Sequence, residues 1–263
     1  VAEVSRRPAE PGAGWPGDPA DAATPVARSA SDVRRIAANL ELTGLDTAVS
    51  VCAACPRLVE WRERVAAEKR AAFASEAYWG RPVPSLGDPD ATVLIVGLAP
   101  AAHGANRTGR LFTGDRSGDW LFAALHRAGY ASQASSVAAD DGLTLTGVRI
   151  TATCHCAPPA NKPTTEEQAT CAGWLDRELT VLAPQLRSIL CLGGIAWDAT
   201  LAAAKRLGWG VPSPKPSFGH GSEAIVDADS HALALIGSYH VSQQNTFTGR
   251  LTTSMLDDVI SRC

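Results

Sequence analysis

The 263-residue sequence has no apolar run long enough to cross a bilayer and no signal-peptide core. A cytoplasmic protein is therefore expected. There is no excess of basic charge: 24 Lys and Arg stand against 27 Asp and Glu, a formal charge of -3. That balance does not advertise a nucleic-acid binder, yet steering depends on where charges sit rather than on their sum. No internal repeat is visible. Neither G-x-G-x-x-G nor G-x-x-x-x-G-K-[ST] follows an apolar run, which argues against a nucleotide-handling enzyme. The seven cysteines are odd in number and lack a secretory context, so a disulfide framework is not expected. Metal binding is the better first reading.

What is present is organised around one loop, GLAPAAHGANRTGRLFTGDRSG, residues 97–118. The apolar run Thr92 to Val96 before it reads as a buried strand, and Trp120, Leu121, Ala124, Leu125 and Ala128 after it fall at helical spacing. Ligands of α/β sheets bind where strands end. Residues 1–30 are rich in Pro, Ala and Gly and read as a disordered tail, followed by one domain over residues 31–263. Ser31 is the expected cap of a first short helix. Pro56 suits the first position of a helix carrying Leu58, Val59, Val65 and Phe73. Further strands are expected at 148–153, 188–193 and 233–240, with a short edge strand at 223–228. Thr164 and Glu167 form a capping box for a long helix. Strands alternating with helices predict a mainly parallel sheet covered on both faces. The loops after Gly97, Cys154 and Tyr239 should then gather at one sheet edge.

Several residues in those loops have chemistry. Cys52 and Cys55 form a C-x-x-C pair, while Cys156 and Cys171 form a wider one with Cys154 as competitor. Four thiolates suit zinc or an iron–sulfur cluster, and spacing does not choose between them. His240 ends an apolar strand, as a structural residue or as a donor to a developing oxyanion. Asn161 stands between prolines, where its carboxamide is an ordinary turn residue or a reader of a base edge. Phe112 is a core anchor or a stacking face. Asp115 caps the next helix or polarises a water, with Ser117 the rival cap.

Together, GLAPAAHGANRTGR with FTGDRSG, the cysteine set ending in CAPPANKPTTEE, and YHVSQQNTFTGRLT resemble the family 5, or type b, uracil-DNA glycosylases. The resemblance runs from about Cys52 to Leu256. It implies a three-layer α/β/α fold around a four-stranded, mainly parallel sheet. It also implies a [4Fe–4S] cluster on Cys52, Cys55, Cys156 and Cys171, which removes Cys154 as a ligand. The activity implied is monofunctional excision of uracil, hypoxanthine and related deaminated bases from damaged DNA, leaving an abasic site. Ala99 stands where the wider superfamily places an acid or amide that handles water, and Asp115 is the nearest acid in the same loop.

The expected roles follow. Phe112 stacks on an everted base, Asn161 reads its edge, and the Gly97 and Ala99 backbone holds a carbonyl oxygen. His240 and Asp115 are the catalytic pair. Arg107, Arg110, Ser242, Asn245 and Arg250 are expected on DNA phosphates. A monomer is expected, acting on double- or single-stranded DNA and bound to no membrane. The rival reading is a non-catalytic protein that holds damaged DNA on the same scaffold.

Overall fold

A computed structural model describes residues 7–228 and 231–263. In chain order the elements are α1 (Ala30–Ala37), α2 (Leu42–Ser50), α3 (Pro56–Glu68), β1 (Leu86–Gly87), β2 (Val93–Gly97), α4 (Ala105–Thr108), α5 (Arg116–Arg127), β3 (Val148–Ala152), α6 (Thr165–Leu182), β4 (Ser188–Leu192), α7 (Gly194–Arg206), β5 (Glu223–Ala228), β6 (His231–Ser238), α8 (Gln243–Phe247) and α9 (Thr253–Ser261). The sheet order is β1-β3-β2-β4-β6-β5. The four inner strands are parallel, and β1 and β5 add short antiparallel edges. The sheet therefore has six strands, with the expected four at its centre.

Alternation along β2 divides the core between two layers. Val93 and Ile95 pack with Leu121, Phe122 and Leu125 of α5 and with Val259 and Ile260 of α9. Leu94 and Val96 face the opposite way, against Leu175 and Leu179 of α6 and Trp197 and Leu201 of α7. β2, β3 and β4 are buried along their whole length, as expected for a sheet covered by helices on both faces. Arg149 is the charged exception on β3. Its guanidinium meets Glu178 at 2.5 Å and Asp46 at 2.7 Å, so the charge is compensated inside the fold.

Local capping matches its sequence signals. Thr164 and Glu167 exchange both bonds of the capping box, and Pro56 opens α3. Two boundaries differ from expectation. Ser29, not Ser31, caps α1 by accepting from the Asp32 N–H at 3.1 Å. Phe73 lies beyond α3, in a single 3-10 turn after Lys69 leaves helical backbone.

The tail is a larger correction. Residues 1–6 lie outside the described residues, but the segment after them is packed. Trp15 meets Trp79 with ring centroids 5.8 Å apart and donates from Nε1 to the Thr108 carbonyl at 3.2 Å. Asp18 forms a two-bond ion pair with Arg81 at 2.7 and 3.0 Å. Composition predicts disorder because no periodic stripe is present; a few anchors to distant residues order the segment instead. Among the described residues, no helix is long and apolar enough to cross a membrane.

Candidate active site

Parallel pairing brings the strand ends into register: Gly97 is opposite Ala152, and Leu192 is opposite Ser238. Beyond that register, the Thr153 and Cys154 N–H groups donate to the Gly97 and Leu98 carbonyls, both at 3.0 Å. The exits of β2 and β3 are thus zipped together, and the exit of β6 lies on the same edge.

Phe112 folds back over this edge. Its φ of 51° is in the left-handed region, a conformation a bulky residue holds only when its surroundings impose it. The ring covers Gly97, where a Cβ would lie 2.9 Å from it. Only glycine admits the ring there. The His240 ring lies beside it, with centroids 6.2 Å apart and planes 33° apart. Two loops more than a hundred residues apart therefore place an aromatic face and an imidazole side by side.

The His240 ring has no hydrogen-bond partner among the described residues, and burial pushes its pKa down to about 4. Near neutral pH it is an uncharged imidazole with an N–H to donate. Its carbonyl accepts from Asn245 Nδ2 at 2.8 Å, which fixes the turn into α8. The Ala99 N–H has no partner among the described residues either and points from the β2 exit as a spare donor.

Asp115 is the N-cap of α5. Its Oδ1 accepts from the Ser117 and Gly118 N–H groups at 2.9 and 3.1 Å, so Ser117 is capped rather than capping. Oδ2 makes no hydrogen bond among the described residues and packs so closely on Gly104 that a Cβ there would lie 2.0 Å away. Burial raises the carboxyl pKa, against the two N–H donors that lower it. Capping uses one oxygen and leaves the other for a second task.

The arginines divide sharply. Arg107 is buried: it ion-pairs with Glu76, donates to the Gly114 carbonyl at 3.0 Å and lies 4.0 Å over Phe73. Arg110 binds Asp141 and Ser136, both at 2.7 Å. Both were expected on DNA and are instead inner clasps of the loop that carries Phe112, because carboxylates far along the chain claim them. Asn245 is half-buried, and its Nδ2 is used on the His240 carbonyl. Arg250 is exposed, 4.4 Å above the Tyr239 ring, and Ser242 is half-buried at the start of α8. The sequence reading missed Phe247, 67% exposed on α8 with Arg116 5.7 Å over its ring. An aromatic among glutamines was the available signal.

Asn161 is exposed, and its carboxamide has no partner among the described residues. It and Ala160 both adopt left-handed backbone, at φ 55° and 52°, after two prolines. Its loop begins at the zipped β3 exit and passes through Cys156.

Cys52, Cys55, Cys156 and Cys171 line one small pocket, whose other walls include Leu58, Val33, Pro82 and Trp174. Cys154 is buried outside that lining, against Cys171. Burial pushes the Cys52 thiol up to about 11 and those of Cys55 and Cys156 up to about 12. Among the described residues, no three His, Cys, Asp or Glu side chains form a group that would hold a single metal ion. α3, whose N-cap is Cys55, and α6, which carries Cys171, are braced by Arg57, which binds Glu167 through two bonds of 2.7 Å. His155, between two cysteines, shares the cavity wall and leaves Nε2 unpartnered.

A profile of the uracil DNA glycosylase superfamily matches residues 84–262. The chain belongs to that superfamily. It is 54% identical over 255 residues to the type-5 uracil-DNA glycosylase of Mycobacterium tuberculosis, covering 97% of this chain and 92% of the relative. The type-5 uracil-DNA glycosylases of Thermus thermophilus and Pyrobaculum aerophilum are 50% and 46% identical over 212 and 211 residues. Those matches cover 81% and 80% of this chain, and 92% and 87% of the relatives. The superfamily match includes every strand of the sheet and both rings of the site, Phe112 and His240.

Proposed function

We propose that this chain is a monofunctional DNA glycosylase that hydrolyses the N-glycosidic bond of uracil in DNA and leaves an abasic site. The observation that carries this reading is the Phe112–His240 pair: an aromatic face held over Gly97 beside an uncharged, desolvated imidazole. Such a pair suits one flat, everted base.

Eversion costs a few kcal/mol, and stacking on Phe112 returns about 1–3 kcal/mol. Asn161 pairs with the base edge, and the Gly97 and Ala99 backbone holds a carbonyl oxygen. As the bond to the sugar breaks, the base departs with the bonding pair and negative charge grows on its carbonyl oxygens. The His240 N–H donates to that charge, an interaction stronger in the transition state than before it. Asp115 Oδ2 orients a water whose oxygen bonds to the sugar carbon, and the carboxylate takes its proton. Phosphates meet Arg250, Ser242 and the α8 turn, and Phe247 wedges into the stack left by the base.

The four cysteines fit a [4Fe–4S] cluster, since all four residues line one largely apolar pocket. When bound, the cluster supplies a rigid tie between the Cys52–Cys55 segment, the Cys156 loop and α6. The residues of that loop then present Asn161 from a fixed base.

The test is incubation with duplex and single-stranded oligonucleotides carrying one uracil or one hypoxanthine, followed by alkali. Strand breaks at uracil are expected, with hypoxanthine cleaved as well. Tight binding with no break at either base would favour a non-catalytic damage-binding protein instead.

A further inference from the structure

Arg62 is a buried arginine with no adequate carboxylate. It is 4% exposed on α3, and its nearest acid is Glu63, 3.8 Å away with a half-exposed side chain. The other buried arginines are answered directly, Arg81 by Asp18, Arg107 by Glu76 and Arg149 by Asp46 and Glu178. The Nη1 of Arg62 instead donates to Cys156 Sγ and to the Cys52 carbonyl, each at 3.1 Å, and Nε has no partner. An uncompensated buried cation is strongly unfavourable. A neutral thiol leaves this one uncompensated, whereas four thiolates around an iron–sulfur core carry net negative charge. The same residue reaches toward the base site: its carbonyl accepts from Nδ2 of Asn106 at 3.3 Å, and Asn106 is fully buried on α4.

We infer that Arg62 is the counter-cation of the cysteine centre, a positioning residue that neutralises its charge at Cys156 and ties it through Asn106 to the loop bearing Phe112. This rests on the reading that Cys52, Cys55, Cys156 and Cys171 hold a cluster. Hydrogen bonds and charge at ligand sulfurs set both how tightly such a centre is held and its potential. A cation beside the sulfur favours the more negative, reduced state.

The experiment compares the wild-type protein, Arg62→Gln, Arg62→Lys and the surface control Arg64→Gln, all prepared without oxygen. Iron and acid-labile sulfide per chain, the decay of visible absorbance under a chelator, and the midpoint potential are measured. Arg62→Gln should lose its centre about tenfold faster than wild type. Its reduced-to-oxidised ratio should fall about tenfold, ~59 mV for one electron. Arg62→Lys should fall between the two, and Arg64→Gln should match wild type. Equal decay and potential in both Arg62 variants and wild type would overturn the assignment. So would an Arg62→Lys protein as labile as Arg62→Gln, because packing rather than charge would then be responsible. If Arg62→Gln does not fold, the neutral Arg62→Met takes its place, and decay and potential equal to wild type in that protein overturn the assignment. Wild type lacking iron and sulfide sinks the cluster reading itself, whereas a loaded wild type with unaffected variants sinks only the role of Arg62.

Discussion

The base site and the cysteine cavity are both desolvated, and burial does opposite service in the two. At His240 it depresses the imidazole pKa to about 4 and leaves a neutral donor, the state that stabilises a developing oxyanion. At Cys52, Cys55 and Cys156 the same desolvation pushes the thiols up to about 11 or 12 and so favours the protonated form. On the proposed reading the first site functions as folded, while the second takes a cluster whose negative charge Arg62 answers. Reactivity therefore stands on the edge with the left-handed Phe112, and rigidity stands behind it.

The widest separation between the two sites should come from His240→Ala. Single-turnover excision of uracil should drop about 10²–10³-fold while affinity for abasic DNA changes little. Equal losses in both would make His240 a binding residue. Asp115→Asn keeps an N-cap acceptor but no base, so excision should fall about 10²-fold with the melting temperature held. Retained activity would pass the water to another group. Phe112→Ala should weaken binding of uracil-containing DNA by ~1–3 kcal/mol, read by titration against an undamaged duplex. Neither Asp115→Asn nor Phe112→Ala should change iron content, which would blur the division if it moved.

A subtler contrast concerns pH. The unfolded imidazole takes a proton near 6.5, while the folded one resists until about 4. As pH falls through that window the unfolded chain binds the proton first, so stability declines on the acid side and is unaffected above it. Melting temperatures at pH 5 and 7.5 should differ less in His240→Gln than in wild type. The smallest effect is expected at Arg250→Ala: DNA affinity a few-fold weaker, with the salt slope reduced by about one. Arg110→Lys should leave that slope unchanged.

Much of this was legible beforehand because it is local. The strand runs at Val93, Val148 and Ser188, the Thr164–Glu167 box and Pro56 at its helix start are short-range patterns, and the parallel order follows from alternating elements. The gathering of loops at one edge follows from that order. Asp115 was legible as a cap, but not its unused oxygen, since Gly104 is needed to show where that oxygen lies. The tail was misread because Trp15 and Asp18 gain their order from Trp79, Thr108 and Arg81, which nothing nearby in sequence announces.

By itself the chain determined its elements, its layer order and which residue types stand at the strand ends, because periodicity, capping and strand handedness act over a few residues. Only the tertiary structure decided which of those residues face a ligand. Arg107 and Arg110 turn inward because Glu76 and Asp141 are there to meet them, while Arg250 turns out over Tyr239. The direction of a long charged side chain depends on partners brought close by folding, and Coulomb attraction in a partly dry interior outweighs position in the sequence.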